Sequence, residues 1–146
     1  MGDAHGELRA RAVAVKISAR VRNSEGVHEV AVRTDASERS LAVPAKTNGR
    51  GSAVNGGEFL MLALATCYCN DLYREAARLG MTLDRVEVEA SAEFNGVGLA
   101  ASNIAYTATV DSPDGDATVA RLLRETDAVA EIHNTIRAGV PVKLVG

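Results

Sequence analysis

Two cysteines, Cys67 and Cys69, are the side chains of this chain best suited to nucleophilic chemistry. A thiol reacts as its thiolate, which needs a cationic neighbour or a helix N-terminus to form near neutral pH. No cation lies within one helical turn of Cys67. A cysteine in an apolar helix is more often an inert small core residue than a nucleophile. A Cys-x-Cys pair also occurs in metal sites, but no second cluster with ligand spacing accompanies it, so we expect no metal ligands. The two side chains point apart on a helix, and we expect no structural disulfide between them.

Four further side chains are candidates for a supporting role. Glu58 follows Asn55 at the spacing of a capping box, so it serves either catalysis or the helix end. Arg22, before the first hairpin turn, is the candidate activating cation, and Arg50 in a glycine-rich loop competes with it. Exposed hairpin arginines are usually only solvated. A lone helical histidine such as His133 is more often a satisfied structural residue than an acid or a base.

The composition is that of a single globular domain of 146 residues, with 47% hydrophobic and 24% charged residues. A net charge of −3 and only 3% aromatic residues provide neither a basic surface nor stacking platforms, so we expect no nucleic-acid partner. The glycines between positions 49 and 57 lack the following Gly-Lys-Ser/Thr of a phosphate loop, and we expect no cofactor. Residues Met1–Ala10 are polar, and no apolar run approaches the roughly 20 residues of a membrane span. We therefore expect no membrane partner, no signal peptide, and a cytoplasmic protein with reduced cysteines.

Alternating strand and helix patterns predict the elements that position these side chains. Apolar residues at every second position predict strands, and apolar residues at every fourth position predict helices. In chain order we expect a half-buried strand over 13–21, strands over 27–32 and 40–43, a long helix over 58–79, strands over 85–94 and 104–110, helices over 116–126 and 128–138, and a closing strand over 142–145. This order of hairpin, long helix, hairpin, two helices and strand is an α+β fold.

The sequence also predicts the burial of the long helix, one hairpin turn and one helix cap. The first half of this helix is apolar on nearly every face, so we expect that half to be buried all round. We expect the second half to face solvent, because it carries Asp71, Arg74, Glu75 and Arg78. Asn95 and Gly96 suit a tight hairpin turn. Asp116 suits the cap of the next helix.

Two segments resemble motifs of the OsmC/Ohr family. Residues 56–67, GGEFLMLALATC, resemble its helix motif Pro-x-Glu-Leu-Leu-Leu-Ala-Ala-Leu-x-Ser-Cys. Residues 130–136, AEIHNTI, followed by GVPV at 139–142, are similar to its second motif, Cys-Pro-x-Ser-Asn-Thr-Leu and then Gly-Val-Pro-Val. The order of elements agrees as well, so the resemblance covers most of the chain.

The resemblance implies an OsmC-like fold, an intertwined homodimer and a thiol peroxidase that reduces organic hydroperoxides or hydrogen peroxide. Cys67 would be the nucleophile, with its thiolate populated near neutral pH. Glu58 and Arg22 would polarise the site, since an arginine can lower the pKa of a thiol and hold a peroxide.

This sequence departs from the family pattern at three positions. Ala130 stands where the family has its resolving cysteine, so we expect an external thiol reductant, or Cys69, to resolve the oxidised nucleophile. Glu131 replaces the proline that follows. The glutamate of typical peroxidases lies one position before Glu58, where this chain has Gly57. The alternative is a non-catalytic protein that binds a small or lipid-like ligand in an apolar pocket at the dimer interface.

Overall fold

The computed structural model describes residues 14–146, and the chain divides into two compact units between Asn55 and Gly56. The elements of the first unit are β1 (Ile17–Ser24), β2 (Val27–Thr34) and β3 (Ser37–Leu41). Those of the second are α1 (Gly56–Arg78), β4 (Arg85–Glu93), β5 (Ser102–Asp111), α2 (Asp116–Val129) and α3 (Glu131–Ala138). The predicted α+β class is confirmed.

The first unit is an antiparallel sheet in the order β1-β2-β3, with Val21 paired to Val30. All of β1 is exposed, so the predicted half-burial of this strand is wrong. The described residues of this unit form one three-stranded layer, and no second layer among them covers the edge strand. Val13, the first residue of the predicted strand, and Met1–Ala10, the segment examined for a signal peptide, lie outside the described residues.

In the second unit, β4 and β5 form an antiparallel hairpin whose side chains alternate between partly buried and exposed positions. The predicted tight turn at Asn95 and Gly96 is wrong, because the connection spans residues 94–101. The register shifts near Ser91 and Glu93, and the turn closes further along, where the Leu99 N–H donates to the Gly96 carbonyl at 3.2 Å.

Helix α1 ends as the sequence predicts. Gly80 adopts a φ of 70°, its N–H donates to the Ala77 carbonyl at 3.2 Å, and the Met81 N–H donates to the Ala76 carbonyl at 2.8 Å. These two bonds form a Schellman motif, which a glycine at this position makes without backbone strain.

The core of the second unit lies where the second half of α1 meets α2. Its buried members are Tyr68, Leu72, Ala76, Leu122 and Ala130. Partly buried side chains of β4 and β5 pack against them. The long helix is therefore fixed mainly through the half that carries its charges.

The expected burial along α1 is right for Leu64, which is buried, and for Arg74 and Arg78, which are exposed, but wrong at other positions of both halves. Leu62 in the apolar half is 57% exposed, whereas Asp71 and Glu75 in the charged half are buried, at 6% and 8% exposure. Buried carboxylates need charged partners. Arg74 supplies one for Asp71 at 3.2 Å, and Arg78 supplies one for Glu75 at 3.3 Å.

Helices α2 and α3 meet at Ala130, which has an extended backbone and is fully buried. The predicted cap at Asp116 is wrong, because Gly115 occupies the N-cap position and Asp116 is the first helical residue. Helix α3 ends at Gly139 with a φ of 61°, as predicted.

The predicted closing strand over 142–145 is wrong. Val142, Leu144 and Val145 are 99%, 102% and 87% exposed, and they form no ladder with β4 or β5. An isolated segment cannot be a strand without a neighbour to accept its backbone hydrogen bonds. Among residues 14–146, no helix is long and apolar enough to cross a membrane.

Candidate thiol site

The sulfur of Cys67 lies beside two carboxylates, that of Asp71 on α1 and that of Glu131 at the start of α3. Its thiol donates a hydrogen bond to Oδ2 of Asp71 at 3.5 Å, and Oε2 of Glu131 is 4.0 Å away. Asp71 is four residues further along α1, a spacing that places both side chains on one helix face. Glu131 is the first residue of α3, and the backbone N–H of Ile132 interacts with the sulfur. The N-terminus of α3 thus meets the middle of α1 at Cys67.

Arg74 holds the two carboxylates together. Its Nη1 lies 3.2 Å from Asp71 and 3.4 Å from Oε1 of Glu131. The Arg74 side chain is half exposed, whereas that of Asp71 is 9% exposed. The guanidinium therefore provides the positive charge that makes burial of the Asp71 carboxylate tolerable.

This environment keeps the thiol protonated at rest. Burial raises the pKa of Cys67, the negative charges of Asp71 and Glu131 raise it further, and the Ile132 N–H lowers it. This direction is opposite to the one that a thiolate populated near neutral pH requires, and that expectation stays a prediction. No cation lies within one helical turn of Cys67 in the sequence. In the structure the nearby cation is Arg74, which contacts the carboxylates of Asp71 and Glu131 beside the sulfur.

The carboxyl group of Asp71 is itself perturbed. Burial raises its pKa, and the neighbouring charge of Glu131 acts in the same direction, while the Cys67 hydrogen bond and Arg74 lower it. A carboxylate whose pKa is moved towards neutrality is a stronger base than an exposed aspartate. It lies within hydrogen-bond reach of the one thiol that could use it.

The same three side chains could share a metal ion. The Cys67 sulfur and one oxygen each of Asp71 and Glu131 lie within 4.8 Å of one another. A thiolate and two carboxylates suit zinc. The sequence pattern did not predict this group. It suggested Cys69 as the second metal ligand of Cys67, and it favoured a solvent-exposed Asp71.

The other predicted site residues belong to both units, Cys69 and Glu58 to the second and Arg22 and Arg50 to the first. Cys69 is a half-buried free thiol two positions along α1. Glu58 is exposed in the first turn of α1, nine residues and about 13 Å of helix before Cys67. Arg22 belongs to the first unit, where its Nη2 pairs with Oε2 of Glu29 at 2.7 Å on an exposed surface. Arg50 lies exposed in the loop before α1.

His133 is not the satisfied structural residue that the sequence suggests. It is only 3% exposed, and neither ring nitrogen has a hydrogen-bond partner. The rings of Tyr106 and Tyr68 flank it, with centroids 4.5 Å and 5.8 Å from that of the imidazole. Burial and the charge of Arg137 lower the pKa of His133, so the ring is neutral at pH 7.

The model of the family described as OsmC-like protein matches residues 49–145, which include both the Cys67 helix and the α3 segment. The chain belongs to the OsmC-like protein family. No functionally curated protein matches this OsmC-like chain.

Solved structures of OsmC-like proteins share the fold. An OsmC-like protein from Mycoplasma pneumoniae is 18% identical, with 86% of this chain and 88% of that chain covered and a TM-score of 0.59. A protein from Legionella pneumophila, named an organic hydroperoxide resistance protein OsmC, predicted redox protein and regulator of sulfide bond formation, is 20% identical, with 92% and 97% covered and a TM-score of 0.59. An OsmC-like protein of unknown function from Vibrio cholerae is 11% identical, with 85% and 94% covered and a TM-score of 0.52. At these identities the likeness shows the fold alone.

Proposed function

We propose that this OsmC-like protein is a thiol-dependent peroxidase in which Cys67 attacks organic hydroperoxides or hydrogen peroxide. The observation that carries the proposal is the hydrogen bond from the Cys67 thiol to the buried carboxylate of Asp71. The Ile132 N–H beside the sulfur favours the thiolate as it forms. The name of the Legionella relative supports the same class of substrate.

The chemistry begins with proton transfer inside the Cys67–Asp71 pair. Asp71 accepts the thiol proton as the sulfur attacks the distal oxygen of the hydroperoxide. A sulfur–oxygen bond forms while the oxygen–oxygen bond breaks, so that sulfur is oxidised and the peroxide is reduced by two electrons. The leaving alkoxide takes the proton from Asp71 and departs as an alcohol, leaving Cys67 as a sulfenic acid.

An external thiol completes the cycle, because Ala130 offers no resolving sulfur. The external thiol condenses with the sulfenic acid to a mixed disulfide and water, and a second thiol restores Cys67 as a disulfide of the reductant leaves. Cys69 is the internal competitor. Two positions along a regular helix correspond to about 200° of rotation, so a Cys67–Cys69 bond requires α1 to unwind.

Glu58 and Arg22 remain in the proposal as the polarising pair that the family resemblance implies. Neither has a role in the proton transfer described above. Arg74 acts differently from either, since it holds the Asp71 and Glu131 carboxylates in place beside the sulfur.

A homodimer in the cytoplasm is the second part of the proposal. Large apolar side chains are exposed at Leu62 on α1 and at Val142, Leu144 and Val145 near the C-terminus. Large exposed apolar patches mark interaction sites, and a second copy of the chain would bury these side chains. Sedimentation velocity at micromolar concentration should show a dimer, and a well-folded monomer would contradict this part.

A non-catalytic binding protein is the alternative, and one observation favours it. Burial and the negative charges of Asp71 and Glu131 raise the pKa of Cys67, which a binding protein tolerates and a peroxidase must overcome. The two functions differ in the fate of the thiol, since a binding protein consumes no hydroperoxide.

Turnover of tert-butyl hydroperoxide with dithiothreitol as reductant tests the proposal. Cys67→Ser should abolish consumption of the hydroperoxide, while the matched variant Cys69→Ser should retain it. Equal consumption by wild type and Cys67→Ser would favour the alternative.

A further inference from the structure

Ligand atoms of two chemical kinds, from two helices, converge at Cys67. Its sulfur lies 3.5 Å from Oδ2 of Asp71 on α1 and 4.0 Å from Oε2 of Glu131 on α3. In a tetrahedral zinc site, a thiolate at about 2.3 Å and a carboxylate oxygen at about 2.0–2.2 Å from the ion are about 3.5 Å apart. The Cys67–Asp71 pair already has this separation, and the Cys67–Glu131 pair exceeds it by about half an ångström.

The oxygens that Arg74 contacts are not the oxygens that face the sulfur. Nη1 of Arg74 lies 3.2 Å from Oδ1 of Asp71 and 3.4 Å from Oε1 of Glu131. The sulfur instead faces Oδ2 and Oε2, the second oxygen of each carboxylate. An ion bound between the sulfur and these two oxygens would therefore leave the contacts of Arg74 in place.

The two carboxyl groups also contact each other. Those of Asp71 and Glu131 lie within hydrogen-bond reach. Carboxylates this close repel one another unless a proton or a cation lies between them. The Cys67 thiol has one proton and can satisfy only one of the two oxygens that face it. This contact is the observation, separate from the ligand spacing, that calls for a cation at the sulfur.

The neighbouring groups suit a bound ion. Ligands in metal sites are usually held by hydrogen bonds of their own, and Arg74 supplies these to both carboxylates while the Ile132 N–H interacts with the sulfur. The Asp71 side chain is 9% exposed, whereas that of Glu131 is 66% exposed. One carboxylate is thus buried beside the sulfur, and the other can move to close the remaining half ångström or so and leaves an ion a path from solvent.

We propose that Cys67, Asp71 and Glu131 bind one zinc ion, with a water molecule at the fourth position. The ion replaces the thiol proton, which is released to solvent, so that the sulfur binds as a thiolate. The thiolate and the two carboxylates carry three negative charges, which Zn²⁺ and the Arg74 guanidinium balance together. A thiolate favours Zn²⁺ over Mg²⁺ and Ca²⁺, which bind oxygen ligands.

Zinc binding and reaction with hydroperoxide exclude each other at this sulfur. A thiolate bound to the ion is not free to attack a peroxide, so zinc should protect Cys67 and inhibit any turnover. The zinc site does not rest on the proposed peroxidase function, and its measurements use reduced protein without hydroperoxide.

The first test uses Cd²⁺ as a spectroscopic substitute for Zn²⁺ with the reduced, untagged full chain. Cd²⁺ bound to a thiolate absorbs ultraviolet light by sulfur-to-metal charge transfer. One equivalent should produce this absorption in wild type and in the matched variant Cys69→Ser, but not in Cys67→Ser, and Zn²⁺ should remove it by competition. In Cys69→Ser protein, saturating Zn²⁺ should slow alkylation of Cys67 by iodoacetamide about tenfold or more, since only the metal-free fraction reacts.

The second test identifies the carboxylate ligands. Titration calorimetry with Zn²⁺ should give one site per chain. Glu131→Gln, at an exposed helix end, should weaken binding by about tenfold or more, and the isosteric Asp71→Asn should weaken it further. Glu75→Gln is the control, because Glu75 is a buried carboxylate that pairs with Arg74 and Arg78, and it should bind Zn²⁺ like the wild type.

Three results would overturn the zinc site. They are no binding of Zn²⁺ at micromolar concentration, charge-transfer absorption that persists in Cys67→Ser, and affinity in either Glu131→Gln or Asp71→Asn equal to that of Glu75→Gln. Wild-type protein that binds Zn²⁺ as described but consumes no hydroperoxide when metal-free would contradict the peroxidase function alone.

Discussion

The Cys67 thiol donates its hydrogen bond to Asp71, one turn further along the same helix, at a sulfur–oxygen distance of 3.5 Å. Burial raises the pKa of both groups. A thiol and a carboxylate this close share a proton and titrate as a pair rather than as independent groups. The reactivity of Cys67 therefore depends on where Asp71 can send that proton.

Replacing Asp71 should make the Cys67 thiol more acidic and yet slow the turnover of hydroperoxide. In Asp71→Asn the negative charge is lost, so the pH midpoint for alkylation of Cys67 by iodoacetamide should fall. Hydroperoxide turnover at pH 7 should nevertheless slow by about a hundredfold or more, since the general base is gone. The two measurements together identify Asp71 as the proton acceptor.

Glu75→Gln is the matched control for that variant. Glu75 is one turn beyond Asp71, similarly buried, and pairs with Arg74 and Arg78 without contacting the sulfur. Its replacement should leave both the alkylation midpoint and the turnover unchanged. Turnover in Asp71→Asn equal to or faster than wild type would show that Asp71 only restrains the thiol electrostatically.

Glu131 should influence Cys67 in the same direction as Asp71 but more weakly. Its oxygen is 4.0 Å from the sulfur and its side chain is 66% exposed, so water and salt screen its charge. Glu131→Gln should lower the alkylation midpoint by less than Asp71→Asn does, and the difference should shrink at high salt. Glu131→Pro should give a similar midpoint with α3 intact, because proline is tolerated at the first helical position.

The partly exposed Glu125 of α2, which pairs with Arg78 and Arg121, provides the control. Glu125→Gln should not move the midpoint. An unchanged midpoint in Glu131→Gln would contradict the electrostatic account of the site.

The sequence predicted the long helix that carries Cys67 and the helix ends at Gly80 and Gly139, because these follow from local patterns. The contact between Asp71 and Cys67 could have been predicted, since residues four apart share one helix face. The charge of Asp71 instead favoured a position in solvent. Glu131 could not be placed, because its approach to Cys67 depends on how α3 packs against α1. The closing strand over 142–145 failed for a similar reason, since a strand pattern does not supply a pairing partner.

His133→Phe should stabilise the protein. The replacement removes two unpartnered buried nitrogens and keeps the contacts with Tyr68 and Tyr106, so the free energy of unfolding at pH 7 should rise by about 1–3 kcal/mol. Chemical denaturation measures this directly. A destabilised His133→Phe would show that the imidazole makes favourable interactions in the folded protein.

The pH dependence of that difference has a defined sign. The pKa of His133 is lowered on folding, so the unfolded chain binds more protons in the window from about 6.5 down to the folded value. Wild type should therefore lose stability relative to His133→Phe as the pH falls through about 6.5. Parallel stability curves for the two proteins would contradict the lowered pKa.

Introducing a cysteine at position 130 tests the correspondence with the second family motif. Ala130 is fully buried next to Glu131, whose side chain approaches the Cys67 sulfur. Ala130→Cys should form an internal disulfide with Cys67 after one equivalent of hydroperoxide, detected by non-reducing peptide mapping. Leu83→Cys, at another partly buried position of the second unit, should not. Failure of Ala130→Cys to form this bond would count against the correspondence.

Direct trapping of the oxidised sulfur tests the central claim, which is that Cys67 is the nucleophile. The reduced protein would receive one equivalent of tert-butyl hydroperoxide in the presence of dimedone, without other thiols, followed by peptide mass analysis. The proposed chemistry predicts a dimedone adduct on Cys67, one equivalent of alcohol formed, and no quantitative Cys67–Cys69 disulfide. Unconsumed hydroperoxide with Cys67 still a free thiol would contradict it.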